Sequence, residues 1–553
     1  MKTRVLALAA ALVCCYSCIE TNTTLGGSLV PIVETYTFHT VDIPLEGITM
    51  QMADNLSGYS DSRMTIGAIR EPEYGLTTRA SAVTLVPLFL GDKLDMGQNP
   101  VFRRFRFAAA CDSVCVFDQT QANILQHVHV YELDRPLDPS VDYDVNRAIS
   151  HGTESIVKGT PVLNGTDSLT FEFTEEFGKR YMSITQDDLM DIETYLAKFP
   201  GIYLETETPD GDGGRINMLE VQMPYDKNNY YVLGNFASLS YSAEFCGVRK
   251  DTTVNFWYGV TDFYDLDSLF ATYTGTFPQY ALNYTGQQTR SRAGEASDKI
   301  WIEGGGGLKP VIPARGLKHQ VEQAIIQAGG NPQDAIINKA SLIFPFDFPE
   351  DYKDMAYWPY RLSPTCRFTL EGDDEDEDDI ITYMGLTDAS SSSENQGNVD
   401  RSLLRYAPDI TYHMQEILKI DESATDKTST KNLLAGNYDI WLLVNAQETQ
   451  TTVTTASQEQ QEMMNYLAYQ SYYNGMYGGG YGGYGSGYGS YGSYYNNYLT
   501  YAMMAQQMSQ SQTSTSISIK LDVDRFYRAA LHGPQHDGDV PILRLVFALP
   551  SQE

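Results

Sequence analysis

Three cysteines lie within five positions near the start of the chain, at Cys14, Cys15 and Cys18. They follow a short basic segment and an apolar run, residues 6–13, that is too short to span a bilayer and is typical of an export signal. A cysteine at the cleavage point of such a signal is acylated on its thiol and becomes the first residue of the mature chain. The sequence therefore predicts a lipoprotein, with a plain secretory signal as the alternative.

Two of these cysteines fit the acylation site. Cys18 follows a small serine, and Cys15 has a leucine three positions before it, as in the usual lipobox. The polar segment 19–24 has the composition of a tether, so we predict lipidation of Cys18 and leave Cys15 open. This prediction assigns a signal peptide to residues 1–17 and a lipidated tether to residues 18–30.

Four cysteines remain in the predicted mature body. Cys111 and Cys115 lie in a stretch that alternates like a β-strand, where a spacing of four places both on one face, about 13 Å apart. That separation is too long for a disulfide between them. We expect buried free thiols, and a disulfide that involves Cys246 or Cys366 stays open.

Other residues that could bind a metal or phosphate, or catalyse a reaction, are scattered along the sequence. His127 and His129 alternate along a predicted strand and share a face, but no third metal ligand is evident beside them. The glycines at 304–307 lack the lysine of a phosphate loop, so we expect close backbone packing or a β-bulge there. No nucleophile-elbow, zinc-protease or dinucleotide-binding motif occurs. The sequence predicts a non-catalytic protein without a cofactor or metal.

The net charge of the chain argues against a nucleic-acid partner. The chain has 38 basic and 71 acidic residues, a net charge of −33, which repels nucleic acids. Hydrophobic residues make up 42% of the chain, which is enough to form a folded core. No segment after the signal is apolar over the length of a membrane-spanning helix.

The elements that position these residues are mostly strands. Aromatic and β-branched stretches recur between turn residues, which predicts a large antiparallel β-sandwich or two packed sandwiches. Two short helices interrupt this pattern, one at 185–201 with Thr185 as its N-cap, and one at 316–330 that ends at Gly329. We predict an N-terminal β-sandwich domain at 31–235 and a C-terminal β-rich domain at 236–553.

Two low-complexity insertions are expected in the second domain. The first, 371–400, is an acidic and serine-rich loop, and the second, 456–512, is a Gly/Tyr tract with flanking helix formers between two adjacent strands. A disordered insertion is one interpretation of the tract, and an aromatic contact surface is the other. The candidate contact residues are Tyr472, Tyr473, Tyr477, Tyr481, Tyr484, Tyr488, Tyr491, Tyr494 and Tyr495.

The order of several soft motifs resembles an uncharacterised Bacteroidota outer-membrane lipoprotein family. The stretches that carry this resemblance are "TTLGGSLVP", "YTFHTVDIPLEGI", "ACDSVCVF", "VHVYELDRPL", "FPGIYLETE", "DKIWIEGGGGLKP" and "INKASLIFPF". That family is in turn similar to BamG, the surface lipoprotein subunit of the β-barrel assembly machinery. The resemblance covers roughly residues 18–350, and the two insertions depart from the common pattern.

The resemblance implies an accessory subunit of an outer-membrane protein assembly or export complex. Its expected partners are the outer membrane, reached through the lipid anchor, an integral β-barrel protein and other lipoproteins. A cell-surface glycan- or protein-binding module, such as an adhesin, is the alternative. We expect the protein on the cell surface; the acidic export signal after Cys18 is reduced to Glu20, so the periplasmic face stays open.

Overall fold

The computed structural model describes residues 36–550, apart from 89–93, 138–142, 227–230, 233–234, 261, 264–275, 278, 371–379, 387, 389–396, 454–512 and 523. Strands make up 48% of the structure and helices 16%. The sheets are antiparallel. The prediction of a mostly β, sandwich-rich fold is confirmed. The predicted signal peptide, tether and Gly/Tyr tract lie outside the described residues.

Sixteen strands form in the first part of the described chain. They are β1 (Tyr36–Pro44), β2 (Thr49–Met52), β3 (Tyr59–Ser60), β4 (Arg63–Glu71), β5 (Gly75–Val83), β6 (Leu85–Leu88), β7 (Gln98–Ala109), β8 (Cys111–Val116), β9 (Gln126–Leu133), β10 (His151–Ser155), β11 (Val162–Leu163), β12 (Leu169–Glu172), β13 (Ile202–Thr206), β14 (Gly213–Glu220), β15 (Met223–Asp226) and β16 (Tyr231–Val232).

The later part of the described chain supplies fifteen more strands. They are β17 (Ala237–Phe245), β18 (Val248–Tyr258), β19 (Thr276–Phe277), β20 (Ala281–Gln287), β21 (Gly294–Glu295), β22 (Lys299–Glu303), β23 (Leu308–Ile312), β24 (Ile336–Pro345), β25 (Arg361–Leu370), β26 (Ile380–Gly385), β27 (Arg405–Tyr406), β28 (Ile440–Val453), β29 (Thr513–Leu521), β30 (Arg528–His532) and β31 (Ile542–Pro550).

The named helices are short. The α-helices are α1 (Glu175–Tyr181), α2 (Ile192–Lys198), α3 (Ala314–Gln327), α4 (Thr411–Leu418) and α5 (Thr428–Ala435), and the 3-10 turns are Gln119–Gln121, Asp187–Leu189, Gln288–Arg292 and Tyr352–Tyr357. Helix α3 confirms the predicted second helix, and Gly329 beyond its end has a positive φ of 84°. No helix among the described residues is long and apolar enough to cross a membrane.

The first hydrophobic core lies between two antiparallel sheets. One sheet has the order β10-β9-β13-β5-β4-β14-β8, with β3, β11 and β20 beside it, and the other has the order β12-β7-β17-β18-β6. Their inner side chains form one cluster that joins Ile66 and Leu204 of the first sheet to Phe105 and Phe256 of the second. Strands β17 and β18, which follow residue 235, belong to this core.

The second core is built from both ends of the described chain. Strand β1 pairs with β31 over nine residues, in a sheet with the order β1-β31-β24-β27. A second sheet has the order β21-β2-β23-β28-β25-β26, with β29 paired to β28, and helices α3, α4 and α5 supply Leu317, Met414 and Leu433 to the same core. This core is therefore complete only when the last strand is in place.

The acidic run and the Gly/Tyr tract each connect the two paired strands of a hairpin. Leu370 pairs with Ile380, so the acidic run connects β25 to β26. Val453 of β28 pairs with Thr513 of β29, which confirms that the Gly/Tyr tract connects two adjacent strands. Residues 371–379 and 454–512 themselves are not among the described residues.

The first predicted helix begins later than expected. The Asp191 carboxylate accepts a hydrogen bond from the Thr194 amide at 2.9 Å and caps α2. Thr185 instead bonds to the Asp188 carboxylate at 2.7 and 2.8 Å around a 3-10 turn. The prediction of Thr185 as the helix cap is wrong, because two aspartates compete for the local amides and split the segment.

Candidate functional site

The described chain begins at a strand with exposed aromatic side chains. Tyr36 and Phe38 of β1 are two residues apart and share a face, with exposed fractions of 45% and 65%. Phe38 and Ile336 both stand opposite Ala548 of the strand between them, so Ile336 lies on the same face. We call Tyr36, Phe38 and Ile336 the entry-strand patch, since β1 is the described strand nearest in sequence to the predicted tether.

The predicted site residues at the N-terminus and in the Gly/Tyr tract are not among the described residues. Cys18, the alternative Cys15 and the nine tyrosines between 472 and 495 fall in this category. Their assignment stays a prediction. The hairpin of β28 and β29 fixes only the point where the tract leaves the fold.

The cysteines of the described residues are free thiols. Burial raises the pKa of the Cys115 thiol to about 12 and raises that of Cys366 still further. A thiol must ionise to act as a nucleophile or metal ligand, so these two are chemically inert. Cys246 is exposed and adopts a positive φ of 51° in the turn between β17 and β18.

Cys111 and Cys115 face opposite sides of their sheet. Strand β8 forms as predicted, but its register with β14 shifts between Met218 and Leu219. Cys111 therefore packs against the first core, whereas Cys115 lies beside Ile216 on the other face. The prediction that both share one face is wrong, because the inserted bulge residue reverses the alternation.

His127 and His129 do share a face, as predicted. Nδ1 of His127 lies 3.0 Å from Glu207, and Nε2 of His129 lies 3.7 Å from the same carboxylate. All three side chains are at least one-third exposed. Their arrangement is that of a solvated surface cluster.

The glycine-rich turn at 304–307 receives a buried lysine. The Lys309 ammonium donates to the backbone carbonyls of Glu303, Gly305 and Gly307, the last two at 2.9 and 3.0 Å. Burial lowers the pKa of Lys309 well below its usual value. The Gly304 amide donates to the Tyr527 carbonyl at 2.7 Å and the Gly305 amide donates to the Asp522 carbonyl at 3.1 Å, so the expected close backbone packing is confirmed.

Further buried charges surround that turn. Arg79 of β5 donates to the Thr285 hydroxyl and, at 2.9 Å, to the Arg525 carbonyl. Asp522 accepts from the Arg525 amide at 2.9 Å, and burial raises its pKa to about 6. These groups bind backbone atoms and the Thr285 hydroxyl, and Arg79 of the first core reaches the segment that follows β29, which makes them a structural brace between the two cores.

A cluster of histidine and carboxylate side chains lies at the end of strand β30. The ligand atoms of Asp347, His532 and His536 lie within 4.8 Å of one another. His532 is the last residue of β30, and His536 follows in a turn, stacked on it with ring centroids 3.7 Å apart. Sequence reasoning missed this cluster, although the spacing His-Gly-Pro-Gln-His is a familiar metal-ligand spacing.

Comparisons with known proteins give no match. No family model matches the chain, and neither a curated protein nor a solved structure does.

Proposed function

We propose that this chain is a lipid-anchored, non-catalytic accessory subunit of an outer-membrane protein assembly or export complex. Cys18 carries the anchor, and the entry-strand patch binds an integral β-barrel partner. The observation that supports this proposal best is the exposed aromatic face at the strand nearest in sequence to the predicted anchor.

The length of the tether keeps that face close to the membrane. Seventeen residues, 19–35, separate Cys18 from Tyr36 and include the predicted tether, which makes eighteen Cα–Cα steps. Fully extended, they reach about 60 Å, and a flexible chain of this length has an average end-to-end distance of about 23 Å. Strand β1 is therefore held within reach of proteins embedded in the same membrane.

The chemistry of the entry-strand patch fits a protein partner. Tyrosine and phenylalanine are enriched in the cores of protein interfaces, where a few aromatic anchors supply most of the affinity. Integral β-barrels carry girdles of aromatic residues at the membrane surface, which offer a matching apolar contact. Exposed large apolar groups that lie side by side on one sheet face are the expected form of such a docking surface.

Affinity purification from solubilised outer membranes tests the proposal. The full-length chain is compared with a patch variant, Tyr36→Ser with Phe38→Ser and Ile336→Ser. We expect the unchanged chain to recover a barrel protein and the patch variant to recover at least tenfold less of it. The reason is that each serine removes an apolar anchor of about 2 kcal/mol.

A matched control separates the patch from general loss of apolar surface. Leu125→Ser with Met190→Ser and Val248→Ser removes three side chains that are 68%, 77% and 56% exposed and lie outside the patch. This control should recover the barrel protein as the unchanged chain does. Recovery of the lipoprotein alone contradicts the proposal and favours the glycan- or protein-binding alternative. Equal recovery of the barrel protein by the patch variant contradicts the assignment of the contact to the entry-strand patch.

A further inference from the structure

We propose that His532, His536 and Asp347 form a binding site for a divalent transition-metal ion such as Zn²⁺. The three side chains come from the end of β30, the turn after it and the segment after β24. The site is separate from the entry-strand patch and does not depend on the function proposed above.

The ring of His532 is oriented as a metal ligand. Its Nδ1 lies 2.7 Å from the Asp539 carbonyl, which can only accept a hydrogen bond, so Nδ1 carries the proton. Nε2 of the neutral ring then presents a lone pair. Among the described residues this buried nitrogen has no hydrogen-bond partner, and it lies 3.4 Å from Asp347 Oδ1, outside hydrogen-bond geometry.

His536 is held in the same manner. Its Nδ1 lies 3.2 Å from the Asp298 carboxylate, which leaves Nε2 as the free ligand atom. Histidine ligands of metals usually donate their second nitrogen to a carboxylate or a carbonyl, which fixes the ring and raises its basicity. Both rings of this cluster have such a partner.

The turn between His532 and His536 packs closely against the segment that contains Ser297 and Asp298. The Gly533 amide donates to the Asp298 carbonyl at 2.7 Å, and the Gln535 amide donates to the Ser297 carbonyl at 2.9 Å. A Cβ on Gly533 would stand 2.1 Å from the Ser297 carbonyl oxygen, so only glycine fits there. The turn therefore holds His536 against the segment that supplies Asp298.

The donor set selects the class of metal. Two imidazoles and one carboxylate suit zinc and its transition-metal neighbours, whereas calcium and magnesium prefer oxygen ligands alone. Tetrahedral zinc, with bonds of about 2.0–2.1 Å, separates its ligand atoms by roughly 3.3 Å. The Asp347 side chain is 85% exposed, so its carboxylate is free to swing onto the ion.

Zinc titration of the purified chain tests the site. The full-length protein is prepared in detergent with a tag that contains no histidine, stripped with chelator, and titrated with ZnCl₂ by calorimetry. We expect one zinc equivalent that is lost, or weakened at least tenfold in Kd, in both His536→Gln and Asp347→Asn. Asp298→Asn should weaken binding 10- to 100-fold, as expected for a residue that orients a ligand.

Titration with Co²⁺ gives an independent readout. Binding at a site with two imidazoles and a carboxylate should produce visible d–d absorption that both ligand variants lack. The matched control is His127→Gln with His129→Gln, which removes the exposed histidine pair beside Glu207 and should leave the zinc stoichiometry unchanged.

Folding is checked by the circular dichroism and thermal midpoint of each metal-free variant. Asp347 is so exposed that its substitution should leave both unchanged. The proposal is overturned if the stripped wild-type chain binds no zinc. It is equally overturned if His536→Gln and Asp347→Asn, both folded, bind zinc as tightly as the wild type.

Discussion

Arg215 shows how a charged side chain is stabilised in the interior of this protein. Its guanidinium donates to the carbonyls of Ala122, Ile124 and Leu163 at 2.7, 2.7 and 2.9 Å, and to the Asn217 side chain at 2.7 Å. The planar group thus has four oxygen acceptors without a facing carboxylate, and it ties the loop that contains Ala122 and Ile124, and strand β11, to strand β14. Hydrogen bonding to the backbone is what makes such a burial tolerable.

Glu71 is a buried carboxyl whose titration should be measurable. It lies 2.5 Å from Arg528, yet burial raises its pKa to about 7, assisted by the nearby charges of Asp354, Glu73 and Glu303. Between pH 4.5 and 7 the folded protein binds this proton and the unfolded chain does not. Raising the pH through that window therefore lowers the free energy of unfolding.

Glu71→Gln should remove this dependence. One pKa unit is worth about 1.4 kcal/mol, so between pH 5 and 8 the wild type should lose roughly 3 kcal/mol relative to the variant. Urea unfolding at the two pH values measures the difference. Glu175→Gln, a fully exposed control on α1, should follow the wild type, and parallel pH profiles for Glu71→Gln and wild type would show that Glu71 titrates normally.

At the scale of elements, the hairpin of β28 and β29 predicts that the Gly/Tyr tract is dispensable for folding. Replacing residues 454–512 by Asn-Gly should join Val453 and Thr513 through a two-residue turn. The shorter loop costs less entropy to close, so the free energy of unfolding should stay unchanged or rise by up to roughly 3 kcal/mol.

Thermal unfolding and barrel recovery measure the two roles of the tract separately. A folded deletion variant that recovers the barrel protein normally assigns the contact to the entry-strand patch. A folded variant that loses the partner assigns it to the predicted tyrosines. An unfolded variant would contradict the prediction, because the tract would then contribute to the core.

Local patterns explain which elements the sequence could predict. Alternation predicted strand β9, which carries His127 and His129, and the helix predicted at 316–330 is α3. The break between β7 and β8 and the bulge opposite Leu219 were not predictable, since they depend on register with a distant strand. The helices α1, α4 and α5 span only seven or eight residues, which is too short for a clear period.

The candidate metal site likewise has one part that the local sequence predicts and another that depends on distant strands. The pair His532 and His536 can be read from its spacing, but Asp347 and Asp298 reach it only through the pairing of β22 with β30 and the packing of β24 against β30. Contacts of this kind are set by tertiary structure, and a single sequence does not contain them in local form.

At the scale of the whole molecule, the two cores are joined by apolar clusters and by the polar brace. Ile69 and Ile216 of the first sandwich pack with Tyr357 and Phe526 from the later part of the chain. The second core draws on residues 43–50 and 296–549, while the first core lies between these segments, at residues 64–281. Neither core therefore corresponds to a simple half of the sequence. We expect the two to unfold together.

Arg79 is the residue on which this coupling should depend. It is fully buried among the acidic side chains of Asp522, Asp524 and Glu303, and it reaches from β5 to the Arg525 carbonyl. Arg79→Met removes both hydrogen bonds and leaves the buried Thr285 hydroxyl and Arg525 carbonyl without this donor, which costs about 1–3 kcal/mol. We expect the single urea transition of the wild type to weaken by that amount and to separate into two.

Arg103→Met provides the matched control for that prediction. Arg103 lies 4.0 Å from Asp251 in an ion pair whose side chains are 60% and 82% exposed, and an exposed pair of this kind contributes at most about 1 kcal/mol. The control should keep one transition at nearly the wild-type midpoint. If Arg79→Met does the same, the apolar clusters alone join the two cores, and the hydrogen bonds of Arg79 do not contribute to their coupling.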